Sequence, residues 1–353
     1  MTFSSLVFYI FRKEKKIMTD EARKELTLAI EYLQYKVKQV QKEEKIKLGE
    51  TGAPLDPSYV EDDPLVAPVD RRWPALLKNE MDAAMAIIDR ELAKLPKVDV
   101  SSFPKLDDSN LWVWGGPTPY WGGSMSDDTL PRNAKYYNAA NGVYVYGPTN
   151  DKMMKLHSGF KKLLCQINGN CRTPGAQEGS TDEENAARLS RLSLEYPNVV
   201  GAMCDDVTTN FANVVLPEPF EARYRGLKKY NDKLKMYGVV YVHELNKDFS
   251  LIQPYMDVVT LWFWHLEELL EYDKALELCQ KKFPGKKVLQ GIFLHEYGRY
   301  DGGNPPQLLI HQLNKVREYM AKGVVEGAVI LGDREIKKWP ESAAAVRDYL
   351  LNQ

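Results

Sequence analysis

The stretch Asn198–Asn210, NVVGAMCDDVTTN, runs through six small or apolar residues, Val199 to Cys204, and then stops on two acids, Asp205 and Asp206. An apolar run of this length between polar flanks reads as a strand buried on both faces. Acids just past the carboxyl end of such a strand occupy the place where α/β folds keep their chemistry. The same layout recurs on either side. Apolar runs at Leu111–Trp114, Gly142–Tyr146, Leu163–Ile167, Gly238–Val242, Val258–Trp264, Val288–Leu294 and Gly327–Leu331 alternate with helical patterns. Several of those helices have legible ends. Thr181 with Glu184 makes a capping box, Pro305 and Pro306 open a helix that Gly323 closes, and Pro340 opens the last one. Eight strand–helix units in roughly 240 residues predict a (β/α)8 TIM barrel, whose usual size is about 250. An open doubly wound sheet is the alternative, but no GxGxxG follows the first strand.

Ahead of the barrel the pattern is helical. Thr19 caps a helix with Asp20 and Glu21 in its first turn and a stripe of Leu26, Ile30, Leu33, Val37 and Val40. Residues 49–70 form a Pro- and acid-rich linker. Pro74 starts a second helix with Leu77, Met81, Met85, Ile88 and Leu92 on one face. The chain therefore divides into a disordered leader at 1–18, an N-terminal helical extension at 19–105 and a barrel domain at 106–353. In the leader, the apolar run Leu6–Phe11 precedes Arg12, Lys13, Lys15 and Lys16, the reverse of the order in a secretory signal, and is too short to span a bilayer. The run reads as a disordered leader or a weak membrane-surface tether; no transmembrane segment is expected, and a cytoplasmic location is favoured with secretion left open.

The chain of 353 residues carries a net charge of −2, which argues against a nucleic-acid-binding surface. Its 20 Tyr, 7 Trp and 11 Phe lean towards a ligand with flat apolar faces such as a sugar. Among the four cysteines, Cys204 and Cys279 read as core thiols, while Cys165 and Cys171 flank a loop and would pair in an oxidising compartment. No CxxC spacing supports a zinc ribbon.

The predicted strand ends hold the chemistry. Strand one ends in Trp112 and Trp114, followed by a glycine-rich loop with Trp121, and strand two in Tyr146. Gln166 and Asn168 end strand three, Asp205 and Asp206 strand four, and His243 and Glu244 strand five. Strand six ends in Trp262, Trp264 and His265, strand seven in His295, Glu296 and Tyr297, and strand eight in Asp333, Arg334 and Glu335. His157 and His311 fall within helical patterns and read as structural. Strand side chains alternate between lumen and helix layer, and a lone polar residue in an apolar strand is better accommodated in the lumen. On that logic Thr260 turns Trp262 and Trp264 inward, Gln166 does the same for Asn168, and Gln290 turns Ile292, Leu294 and Glu296 inward. Strand four has no polar marker, so either Asp205 or Asp206 is the inward acid. An inward Glu296 facing a strand-four acid, with Glu244 as alternative acid, is the two-carboxyl arrangement that glycoside cleavage needs. Trp112, Trp114, Trp121, Trp262 and Trp264 would form a stacking platform, and Tyr146, Gln166, Asn168, His243, His295, Tyr297 and Asp333 would complete the substrate site.

In these strand-end acids and aromatic loops, residues 111–350 resemble the barrel glycoside hydrolases at superfamily level. The resemblance implies a hydrolase that acts on an oligo- or polysaccharide and needs no cofactor or metal. The chain has Asp205–Asp206 where the large retaining group carries Asn-Glu. Barrel α-glycosidases, with an Asp nucleophile at strand four and a strand-five acid such as Glu244, match better, and the chitinase-like DxxDxDxE pattern is absent. Two other expectations stand beside this one. A metal-dependent barrel hydrolase or isomerase would use His243, His265 and His295 with Glu244, Glu296 and Asp205. A non-catalytic carbohydrate-binding barrel would keep the aromatic cleft without a working acid pair.

Overall fold

The structure is a computed structural model. It describes residues 78–95, 99–118, 124, 126–167, 181–207, 217–296, 302–332 and 335–353, with side chains of the first helix described from residue 86. The leader, the first N-terminal helix, the linker, and Trp121, Asn168, Cys171, Tyr297, Asp333 and Arg334 lie outside the described residues.

Eight parallel strands close into a barrel in sequence order. They are β1 (Leu111–Gly115), β2 (Asn141–Tyr144), β3 (Lys162–Gln166), β4 (Val199–Cys204), β5 (Lys235–Tyr241), β6 (Val258–Trp262), β7 (Lys287–Ile292) and β8 (Val325–Leu331). Closure is made by β8 on β1, with Leu111 opposite Ala328 and Trp114 opposite Leu331. Every strand thus has two hydrogen-bonded neighbours and no edge is exposed. The strand at Val199–Cys204 has the bounds its apolar run predicts. β5 starts three residues before the predicted Gly238, because Lys235, Met236 and Tyr237 pair with Gly201, Ala202 and Met203.

The described helices are α1 (Lys78–Lys94), α2 (Thr129–Tyr136), α3 (Asp151–Leu156), α4 (Asp182–Leu192), α5 (Glu218–Leu227), α6 (Leu266–Leu270), α7 (Tyr272–Lys282), α8 (Pro306–Ala321), α9 (Glu335–Lys338) and α10 (Pro340–Asn352). The capping box at α4 forms as expected: the Thr181 hydroxyl accepts from the Glu184 amide, and the Glu184 carboxylate accepts from the Thr181 amide. Gly323 follows α8 in the left-handed conformation (φ 70°) that a helix stop requires. α1 packs on the barrel through the buried Ile87 and Ile88, and its Asp89 accepts a hydrogen bond from Gln307 of α8.

One of the eight expected strand–helix units lacks its helix. Between β5 and β6 the chain makes two short 3₁₀ turns, Val242–Glu244 and Gln253–Tyr255. The spacing of Leu245, Phe249 and Ile252 imitates a helix face, and all three are buried against the barrel. The backbone between them is turned instead by Asp248, whose carboxylate accepts from the Ser250 amide, and Pro254 removes a donor that a helix would need.

Two apolar layers result. The outer layer joins the strands to the helices, and the lumen is filled by Trp112, Trp114, Val143, Val145, Leu164, Met203, Tyr237, Val239, Tyr241, Trp262, Leu289, Phe293, Val329 and Leu331. Gln166 shares the lumen parity of Leu164, and Thr260 has its hydroxyl on the Gly238 carbonyl and beside the lumen-facing Met203. β7 departs from the expected parity. Gln290 faces the helix layer, where its amide oxygen accepts from the Tyr272 hydroxyl of α7 at 2.8 Å and its nitrogen donates to the Leu261 carbonyl. Ile292 and Leu294 accordingly join the outer layer, while Leu289 and Phe293 fill the lumen. A buried tyrosine on the facing helix satisfies the amide as well as lumen water would.

Candidate active site at the carboxyl mouth of the barrel

Met203 faces the lumen, so strand alternation also carries Asp205 inward. Asp206 then adopts a left-handed backbone (φ 46°), an uncommon conformation for a residue with a side chain. Its carboxylate accepts a 2.5 Å hydrogen bond from Tyr241, the last lumen residue of β5. The choice between the two acids is therefore resolved by bringing both to the mouth. Each is half-buried. Burial and then repulsion from Asp206 hold Asp205 well above the usual carboxylate range. Burial also raises Asp206, and the Tyr241 hydrogen bond opposes that rise. A like charge beside a buried carboxyl disfavours ionising both at once. Burial, followed by the two aspartates, keeps the Tyr241 hydroxyl protonated far into the alkaline range, so it remains a donor.

Around the pair stands a wall of rings. Trp114 donates from Nε1 to the Tyr146 hydroxyl at 3.3 Å, and the Tyr146 amide donates to Gln166 Oε1 at 3.0 Å, tying β1, β2 and β3 together at the rim. Tyr146 is also left-handed (φ 67°). On the other side Tyr241 packs edge-on to Trp264, with centroids 4.8 Å apart, and its ring stacks parallel to His243. Trp264 is half-buried at the mouth, whereas Trp262 below it is only 2 % exposed and meets Trp114 edge-on at 5.7 Å. Trp112 lies deeper still, with the Lys162 ammonium from the amino end of β3 at 6.0 Å from its ring. Of the expected platform, Trp264 reaches the mouth, Trp114 and Trp262 form its floor, and Trp112 fills the barrel below.

The remaining acids and histidines separate into groups. Glu244 is buried and ion-paired to Lys247 at 2.8 Å. Glu296 is fully buried and contacts His265 Nδ1 at 3.1 Å. His295 turns away towards β8, where its Nδ1 lies 2.5 Å from the buried Glu335 carboxylate and its ring stacks on Trp339. His243 and His265, by contrast, come together with centroids 5.7 Å apart. With Glu268 of α6 they form a cluster whose ligating atoms all lie within 4.8 Å of one another, an N/N/O set able to hold a metal ion. Glu268 accepts from the amides of Trp264 and His265, and burial pushes its carboxyl up to about 7. Tyr241 and Glu268 were missed from sequence. The alternation Tyr237, Val239, Tyr241 marks the first, and a glutamate three residues after a helix-capping position marks the second.

His157, Cys204 and Cys279 are buried as expected, and Cys165, read from sequence as a partner for Cys171, is buried as well. His157 is fully buried, held by the Met153 carbonyl and packed against Tyr144. Cys165, Cys204 and Cys279 are buried free thiols, and burial pushes Cys279 up to about 12.

No protein-family model matches the sequence, and no curated protein matches it. Among solved structures the chain is similar to a xylanase–α-amylase inhibitor protein in complex with trehalose (13% identity, TM-score 0.43, covering 71% of this chain and 99% of that one). It is also similar to a putative α-L-fucosidase from Bacteroides thetaiotaomicron (11% identity, TM-score 0.46, 73% and 100% covered). A third is the β-glucuronidase of Ruminococcus gnavus (11% identity, TM-score 0.44), of which the chain spans about half the length, 50%, with 70% of its own residues. These neighbours are glycoside hydrolase-like barrels; the fold of this chain rests on its own strand order and register.

Proposed function

We propose that the mouth of the barrel binds a saccharide and hydrolyses a glycosidic bond, with Asp205 and Asp206 as its catalytic carboxyls. The observation that carries this is the acid pair at the end of β4, both members held above the usual carboxylate range by burial, Asp205 also by repulsion from Asp206, and Asp206 bound by Tyr241. Glycoside cleavage needs one protonated carboxyl to donate to the leaving oxygen and one carboxylate to attack or to activate water. Asp205, the more strongly raised, is the proton donor. Asp206, whose ionised form the Tyr241 hydroxyl favours, is the carboxylate. Trp264, Tyr241 and Tyr146 supply ring faces for a sugar, and the Gln166 side chain, anchored by the Tyr146 amide, lies where hydroxyl groups would meet it. Glu244 and Glu296, further round the rim, are held by Lys247 and His265 and take supporting places.

The test is release of reducing ends from a panel of oligo- and polysaccharides by the full chain. Release by the wild type that falls at least about 100-fold in Asp206→Asn, within the usual range for losing an acid–base group, supports the proposal. Saccharide binding with no release, equal in wild type and Asp206→Asn, would replace it with a binding barrel.

A further inference from the structure

We propose that His243, His265 and Glu268 bind one divalent first-row transition metal ion at the rim of the barrel, with Glu296 as the group that orients His265. Three observations converge on it. The ligating atoms of the three side chains lie within 4.8 Å of one another. Ligands on a tetrahedral ion with bonds of about 2.0 Å sit roughly 3.3 Å apart, so the site closes by a shift of about 1.5 Å at its widest pair. His243 is exposed and lies in a three-residue turn at the end of β5.

The second observation is how the other two ligands are held. His265 Nδ1 contacts Glu296 Oε1 at 3.1 Å, and Glu296 is fully buried. A buried carboxylate on one imidazole nitrogen fixes the ring and its tautomer, presents the other nitrogen, and raises its basicity, the arrangement that supports metal-bound histidines. Glu268 is fixed by two backbone amides, those of Trp264 and His265, at 3.0 and 3.1 Å. Both amides donate to the same oxygen, Oε2, and hold the carboxylate at the end of β6.

The third is what surrounds the imidazoles. His243 lies parallel to Tyr241 at 11° and packs against Trp264 at 4.7 Å, so aromatic surfaces cover its faces while its edge stays accessible. Two imidazoles and one carboxylate suit zinc and the neighbouring divalent ions better than calcium or magnesium, which prefer all-oxygen shells. Three protein ligands beside an exposed rim leave a coordination position for water or for a substrate oxygen. Tyr241 stacks its ring on His243 and donates its hydroxyl to Asp206, so the three-residue cluster and the acid pair flank the same side chain. His295, paired to Glu335, takes no part.

The proposal does not depend on the glycosidase function, and its test reads binding and not turnover. The full chain, stripped with a chelator, is titrated with Zn²⁺ by calorimetry and with Co²⁺ by visible absorption. One equivalent should bind, and Co²⁺ should give the intense d–d bands of a low-coordinate nitrogen–oxygen site. His243→Ala, an exposed position that leaves the core intact, should weaken binding by more than about 100-fold. Glu296→Gln, which keeps the shape but not the charge behind His265, should weaken it by about 10–100-fold. Asp108→Asn, at an exposed position ahead of β1 and so at the opposite end of the barrel, should bind like the wild type. Failure to bind an equivalent of either ion, or an affinity that is the same in His243→Ala as in the wild type, would overturn the site. Metal bound without any sugar release would leave the site standing and remove only the glycosidase proposal.

Discussion

Asp206 is the residue at which the energetic cost of the site is concentrated. A left-handed backbone at a non-glycine residue costs of order 1 kcal/mol, and here it turns the carboxylate back to Tyr241 beside a second acid. Removing the donor by Tyr241→Phe should raise the Asp206 carboxyl further. It should move the acidic limb of the pH–rate profile to higher pH and lower kcat/KM by about 10–100-fold, the worth of a hydrogen bond to a charged group. Kinetics across pH 4–9 would read both effects. Asp205 makes the complementary prediction for stability. Its folded-state carboxyl is raised by burial and by Asp206, so its contribution to stability is complete below the unfolded value near 3.9 and is lost as pH rises through the folded value. Asp205→Asn should therefore raise the melting temperature at pH 7.5, by roughly 2 °C, with a smaller gain at pH 4.5. Calorimetric melts at the two pH values would show it, and a gain larger at pH 4.5 would contradict the raised carboxyl.

At the scale of elements, the glycines and caps decide how the barrel presents its mouth. A methyl group on Gly291 of β7 would lie 2.0 Å from the Trp262 indole, so this position is empty to let the ring lie across the lumen floor. Gly291→Ala should destabilise the fold by about 1–3 kcal/mol, the usual result of overpacking, and urea unfolding would measure it. Thr181→Ala should cost about 1 kcal/mol by removing the cap of α4. The elements also show where sequence was readable. The caps at Thr181, Pro306 and Pro340 depend on chemistry within one turn and could be read directly. The inward face of β6 could be read because Thr260 does sit in the lumen. The inward face of β7 could not, because the partner of Gln290 is Tyr272, eighteen positions earlier in the chain, and no local pattern reveals it. The β5–β6 connection departs from the eight-unit expectation because Leu245, Phe249 and Ile252 fill the helix layer from turns rather than from a helix.

At the scale of the whole molecule, the barrel was legible because eight buried parallel strands each need a continuous apolar run, and those runs stand out between polar helix starts. Closure also explains why the chemistry could be located but not assembled from sequence. Strand ends converge on one face, and Asp205, Asp206, His243 and Trp264 follow the ends of β4, β5 and β6 there. Which of them touch depends on strand register and on the first residues beyond each strand. There Asp206 turned to Tyr241, Glu296 to His265 and His295 to Glu335. The central claim is that Asp205 and Asp206 share one catalytic proton. The most direct measurement is the pH dependence of kcat/KM on the saccharide that the wild type cleaves best, compared with Asp205→Asn and Asp206→Asn. The account predicts a bell for the wild type, whose alkaline limb disappears in Asp205→Asn and whose acidic limb disappears in Asp206→Asn, each with a rate loss of at least about 100-fold. A bell that keeps both limbs and its height in either variant would contradict it.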